Sequence, residues 1–274
     1  MEYIVKITNA IFSAMFFPFE RMRPDYAILI ISLVAGVVMF YLYKWTSCQG
    51  RLAKVQQRIK AHILEIQLYK TDLYVMFRAL YRVLVKNFTY LGLLLPSATL
   101  LIFLVVLIVV QCYPRFEYRP VKPGEGFVLK ATMKDWDSVA AGSLRLTVPD
   151  GMAVEAGPLP IPSMKEVDWR LRASKPGEYK ISLGPGAGDV EKTAVVGEGV
   201  RGLSRKSGAL SLKGYICDAL GSPLPAGSAF SEVEVLYPER GMHGALLLGM
   251  SWVVYFFVVS FVVALIMKFI TKAH

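Results

Sequence analysis

The residues of this chain best equipped for chemistry are cations gathered in one stretch: Arg51, Lys54, Arg58, Lys60, Arg78, Arg82 and Lys86. With Lys44 and Lys70 they make nine Lys/Arg against two carboxylates, Glu65 and Asp72, between Lys44 and Phe88. A cationic surface of that density takes polyanions, and such contacts weaken as salt rises. Two anions fit: a structured RNA such as ribosomal RNA, and the headgroups of an anionic leaflet, which attract each nearby Lys or Arg by about 1 kcal/mol. DNA is not an expected partner. The basic excess lies between long apolar runs, where retention of Lys and Arg on the cytoplasmic side of a membrane explains it.

Other candidates are weaker. Asn87 and Thr89 stand at the start of the second apolar run, and Ser97 and Thr99 lie deeper in it. Ser32, Ser251 and Ser260 occupy the other two runs. A polar side chain inside such a segment marks a pathway for substrate, or else bonds back to its own helix or to a neighbour. Ser32 and Ser260 fit the second role, with Gly36 and Gly249 allowing close helix packing, while Asn87 is placed to line an entrance.

No catalytic constellation emerges, so an enzyme is not expected, nor is a metal or other cofactor. The sole histidine between residues 113 and 243 is His243, with no Ser-His-Asp grouping or metal-ligand spacing around it. Gly184, Gly186 and Gly188 interrupt strand patterns and open no helix, which makes them a hairpin turn rather than a phosphate loop. Of the three cysteines, Cys48 is expected as a free thiol open to acylation. A bridge between Cys112 and Cys217 is possible only if the outer domain at 114–243 folds back onto the bilayer.

Three apolar runs must position these groups. Residues 26–43, 89–113 and 244–268 are each of a length to cross a bilayer, which takes roughly 20 residues, and their cores carry no charge. They account for the positive mean hydropathy. The basic loop at 44–88 fixes orientation: it stays in the cytoplasm with the tail at 269–274, and the N-terminus and residues 114–243 lie outside, in the inner (plasma) membrane of a bacterium.

Ile4, Ile7, Ile11 and Met15 recur at helical spacing, which predicts an amphipathic interfacial helix within residues 1–25, broken by Pro18. The basic loop carries two stripes of its own. Leu52, Val55, Ile59, Ile63 and Ile66 share one helical face, and Leu73, Met76, Phe77, Leu80, Val83 and Leu84 another. With Thr71 and Asp72 available as N-caps, they predict an antiparallel helical hairpin whose second helix runs on into the second span.

Residues 114–243 change character to Gly, Pro and period-two alternation. Phe127/Leu129/Ala131, Leu144/Leu146/Val148, Trp169/Leu171/Ala173 and Tyr179/Ile181/Leu183 are the inward sets, and Lys192–Val196 and Val233–Leu236 add further strands. The expectation is an all-β sandwich with the Trp169 strand at its centre. The fold class is thus integral membrane α-helical, with three spans and a cytoplasmic helical hairpin, plus an extracytoplasmic β-sandwich.

This order of parts resembles the YidC-like membrane insertase superfamily: an outside N-terminus with an interfacial helix, a first span, a basic cytoplasmic hairpin, a second span, an outer connection and a third span. The resemblance covers about half of the chain and rests on architecture. It implies a membrane-protein insertion or assembly factor with a hydrophilic groove, here built from Asn87, Thr89, Ser97 and Thr99. The partners it implies are the bilayer, nascent clients and the ribosome. The spans carry no intramembrane arginine of the kind typical of bacterial members. A different class fits that departure, a noncatalytic subunit of a larger membrane complex docking through Val253, Phe256, Phe257, Ser260 and Val263; a sensor relaying an outer ligand to the hairpin is the third alternative.

Overall fold

A computed structural model of the chain describes residues 2–20, 22–47, 49–69, 72–136, 144–184, 190–208, 218–225, 227–241 and 249–271. Cys48, Lys70, Thr71, Pro185, Gly186, Gly188, Cys217 and His243 lie outside the described residues, and with them the conditional Cys112–Cys217 bridge, the Cys48 thiol and the glycine turn. Cys112 itself is a buried free thiol.

Among the described residues, five α-helices carry the non-β part: α1 Glu2–Phe16, α2 Pro24–Thr46, α3 Gln49–Leu68, α4 Leu73–Phe116 and α5 Trp252–Ile270. Three of them, α2, α4 and α5, are long and apolar enough to cross a membrane. At about 1.5 Å per residue, the 44 residues of α4 run to about 66 Å, twice a hydrocarbon core of about 30 Å. Its basic first third and the charge-free stretch that follows are therefore one continuous helix, as the lack of a breaker near Lys86 predicts. Pro96 sits inside it, removing one backbone donor without ending the helix. The helix continues past the expected limit at Tyr113 to Phe116, carrying Arg115 with it. The third span is also shifted: Gly249, Met250 and Ser251 are not helical, Gly249 has φ +73° with open space at its Cβ, and α5 starts at Trp252. Gly249 is therefore a turn glycine and not a packing contact.

The chain divides into two compact units, Met1–Ile28 with Ile108–Val253, and Leu29–Leu107 with Val254–His274.

Among the described residues of the first unit, nine strands form two sheets. They are β1 Gly126–Met133, β2 Arg145–Thr147, β3 Met152–Ile161, β4 Glu166–Ala173, β5 Gly177–Gly184, β6 Val190–Val196, β7 Lys206–Gly208, β8 Ser222–Pro223 and β9 Phe230–Leu236. The larger sheet has order β3-β4-β1-β9-β7-β8 and is antiparallel except for β7 with β8; the smaller has order β2-β5-β6. One core joins them: Phe127, Leu129 and Ala131 of β1, Trp169 and Leu171 of β4, Ile181 and Leu183 of β5 and Val233 and Val235 of β9 are all buried in it. The alternation read from sequence put these side chains on the correct face. It misjudged the centre, since β1 and β9 occupy the middle of the larger sheet and β4 lies one strand from its edge. It also missed β3, which carries Pro158 and Pro160 and is exposed along most of its length. Proline cannot donate to a ladder, so such a strand survives only at an edge, with irregular register on its single partner β4.

The helical parts of this unit are fixed by polar groups and rings. Asn9 donates to the Ala219 carbonyl at 2.7 Å and accepts from the Gln111 amide at 2.7 Å. Arg115, 2% exposed, donates to the Gln111 carbonyl at 2.6 Å, while its guanidinium stacks 4.5 Å above the Phe16 ring. Phe116 packs between Phe16 and Trp252, whose indole N–H donates to Glu117 at 2.6 Å. The polar face of α1 thus docks on protein, and its apolar stripe points away: Ile7, Ile11 and Met15 are all exposed.

Candidate functional site

The second unit contains the residues singled out for binding. The expected basic hairpin maps onto α3 and α4, which meet where Glu65 of α3 lies 3.7 Å from Arg82 of α4. Asp72 caps α4, accepting from the Tyr74 and Val75 amides at 3.0 and 3.2 Å. That is the local reason α4 starts there: the carboxylate satisfies two amides that a helix start leaves unpaired. His62 bonds Glu65 at 3.0 Å and, with Arg82 adding to it, holds the carboxyl below its ordinary range.

Arg51, Lys54, Arg58, Lys60 and Arg78 are exposed, and Arg82 and Lys86 are half-buried. Among the described residues, only Arg82 of these seven lies within ion-pair distance of a carboxylate.

The apolar stripes behave differently from expectation. Leu52, Val55 and Ala79 are buried. Ile63, Phe77, Leu80 and Leu84 are exposed, as are Leu68, Tyr74, Tyr81 and Phe88. Exposed aliphatic and aromatic side chains at this density mark an interaction surface.

Among the spans, Gly36 allows α2 to approach α5 closely. A Cβ there would stand 2.7 Å from the Ser260 carbonyl and 2.9 Å from the Val263 Cβ. Ser32, Ser97 and Ser260 are all buried. Ser260 donates to the Phe256 carbonyl at 2.6 Å and Ser97 to the Leu94 carbonyl at 2.9 Å, so both hydroxyls bond within their own helix.

Asn87, Thr89 and Thr99 are exposed, and Thr89 donates to the Val85 carbonyl at 2.9 Å. These four expected groove residues are not gathered: Ser97 is turned inward, and the other three lie on open helix surface. The concavity in this unit is a different one. A cleft of about 300 Å³ between α2, α4 and α5 is lined by Met39, Phe40, Leu101, Phe257, Phe261 and Leu265, with Ser260, Tyr43 and Lys268 supplying its polar groups. None of the four polar candidates lines it. The sequence signal that would have found it is the i, i+4 series Phe257, Phe261, Leu265 facing Phe40, which reads as ordinary span composition until the Gly36 contact aligns the two helices.

No protein-family model, curated protein or solved structure matches this chain.

Proposed function

We propose that the chain is an integral membrane protein that assists the insertion or assembly of other membrane proteins, taking an apolar client helix against the cleft between α2, α4 and α5. The observation that carries this reading is the pairing of that open apolar cleft with a hairpin bearing exposed aromatic side chains beside unneutralised cations. The hairpin would capture the client and the cleft would accept it. On the positive-inside rule the hairpin and the C-terminal tail lie in the cytoplasm, and α1 and the β domain lie on the far side. The apolar lining argues for a site that binds a hydrophobic helix by shape, in place of the hydrophilic groove that the YidC-like resemblance implies. The exposed stripe of α1 supports its place in the interface, where lipid would solvate Ile7, Ile11 and Met15.

The exposed face of α5, with Val254, Phe257, Val258 and Phe261, favours a second reading as a stable subunit of a membrane complex. Photocrosslinkers at Leu101, Phe257 and Tyr81 separate the two. A range of newly made membrane proteins crosslinked at all three positions supports the first reading, and a single stoichiometric partner replaces it with the second. Absence of any protein crosslink would refute both. Neutralising Arg78, Arg82 and Lys86 together should weaken capture at Tyr81 and make it less salt-sensitive.

A further inference from the structure

Strand alternation in β6 places Lys192 at an inward position between Val190 and Ala194, and the side chain is 2% exposed. An ammonium at such a site ordinarily pairs with a carboxylate, because an isolated buried charge is costly. Lys192 instead bonds two hydroxyls: its Nζ lies 3.1 Å from Ser204 Oγ and 2.9 Å from Ser207 Oγ. The nearby carboxylates are engaged elsewhere. Asp218 accepts from the Lys206 and Leu220 amides, Glu234 pairs with Arg205, and Glu232 pairs with Lys206. Ser207 is buried and bonds Ser222 at 2.8 Å, which fixes it as a holder of the amine. Ser204 is half-buried and lines a cavity of about 300 Å³, together with Ser13, Glu20, Arg115, Glu178 and Gly202.

A desolvated amine held by one serine against a second serine that borders a cavity is the arrangement needed to activate a hydroxyl. We propose that Ser204 and Lys192 form a nucleophile–base pair that hydrolyses a small carboxylic ester bound in this cavity. The neutral amine, donating to Ser207, accepts the Ser204 proton as Oγ bonds the ester carbonyl carbon. Collapse of the adduct breaks the ester C–O bond, and the lysine ammonium returns the proton to the departing alcohol. Water then attacks the acyl-serine, gives its proton to the amine, and the carboxylic acid leaves as Ser204 regains its hydrogen. Arg115 and Arg201 border the same cavity as the cations nearest to an oxyanion formed there. This site is independent of the proposed role of the helices.

Burial pushes the Lys192 amine down to about 8 against the pull of Asp218, Glu234 and Glu232, so a useful fraction is neutral in mildly basic solution. The test is labelling of the full-length protein in mild detergent with a fluorophosphonate probe, followed by peptide mass spectrometry. The adduct should map to Ser204, with a labelling rate that rises with pH and levels off above about 8. Lys192→Arg, which retains a hydrogen-bonding cation, should slow labelling on the order of 100-fold, within the range of general-base effects. Ser204→Ala should abolish both labelling and turnover of p-nitrophenyl butyrate. Absence of a Ser204 adduct on the wild-type protein at pH 9 would overturn the proposal without recourse to any variant. So would an equal rate in a folded Lys192→Arg protein.

Discussion

Replacing Gly36 with alanine tests the packing that forms the cleft, because two opposing effects act at that position and their sizes differ. Alanine in a helix interior is favoured over glycine by about 1 kcal/mol through reduced backbone entropy. Against that, the added Cβ would meet the Ser260 carbonyl at 2.7 Å and the Val263 Cβ at 2.9 Å. Neither obstacle is the free end of a flexible side chain. The backbone of α5 must retreat, and overpacking of this kind costs roughly 1–3 kcal/mol. The clash should win, leaving the variant less stable by about 1 kcal/mol once the propensity gain of about 1 kcal/mol is subtracted from the middle of that range.

Gly92 supplies the control. It lies inside α4 with nothing within 4 Å of its would-be Cβ, so Gly92→Ala carries the propensity gain without the clash. Thermal unfolding in mild detergent, followed by helical ellipticity, should therefore shift down for Gly36→Ala and up for Gly92→Ala. Equal shifts, or a Gly36→Ala protein at least as stable as wild type, would refute the close approach of α2 to α5 and with it the geometry of the cleft.

Three further outcomes follow from other contacts. Lys192 is neutralised more easily folded, near 8, than at its ordinary 10.5; the unfolded chain binds more protons between those values, so wild-type stability should rise from pH 8 to 10.5. Folding the charged form below that window costs about 3 kcal/mol at 1.36 kcal/mol per unit, and Lys192→Met should flatten the rise in melting temperature; an unchanged profile would remove the buried amine from the account. Asn9→Ala deletes bonds to Gln111 and Ala219 and should weaken docking of α1 by about 1–3 kcal/mol, visible as faster amide exchange confined to that helix. Asp72→Ala removes the cap on the Tyr74 and Val75 amides and should fray the start of α4 by about 1 kcal/mol; exchange at those two amides should accelerate while the middle of α4 stays protected.

Much of the fold was legible because its determinants are periodic. Period two put Leu129, Leu171 and Ile181 into one core, and the charge-free runs marked α2, most of α4 and α5. What stayed hidden depended on pairing. β3 carries two prolines and no alternation, and only its edge position makes it a strand. Arg115 fell outside the expected second span, and nothing near it in sequence announces that Gln111, Ser13 and Phe16 will enclose it. The site was less legible than the fold. Arg51, Lys54, Arg58, Lys60 and Arg78 stand exposed, whereas Ser97 is buried apart from the exposed Asn87, Thr89 and Thr99. Lys192 stood in an expected strand, but its serines come from a segment beyond the next turn, so only the folded sheet reveals the cluster.

Exposed apolar surface occurs here in two chemically different settings, and the difference restricts what can cover each. On α1 the exposed Ile7, Ile11 and Met15 form a stripe without charge, opposite a polar face already satisfied by Gln111 and Ala219. Lipid can cover that stripe at no electrostatic cost. On the hairpin, Phe77, Leu80 and Tyr81 alternate with Arg78 and Arg82 on neighbouring positions of one helix. Hydrocarbon deep enough to cover these side chains would also bury the cations, at about 2.5–3.5 kcal/mol each on insertion scales. Burying Arg78 alone would thus consume what covering one large side chain returns, about 1.5–3 kcal/mol. The hairpin surface is therefore suited to a partner that brings its own anions together with apolar groups, such as an acidic amphipathic helix or a headgroup layer, and high salt should release that partner while leaving α1 seated.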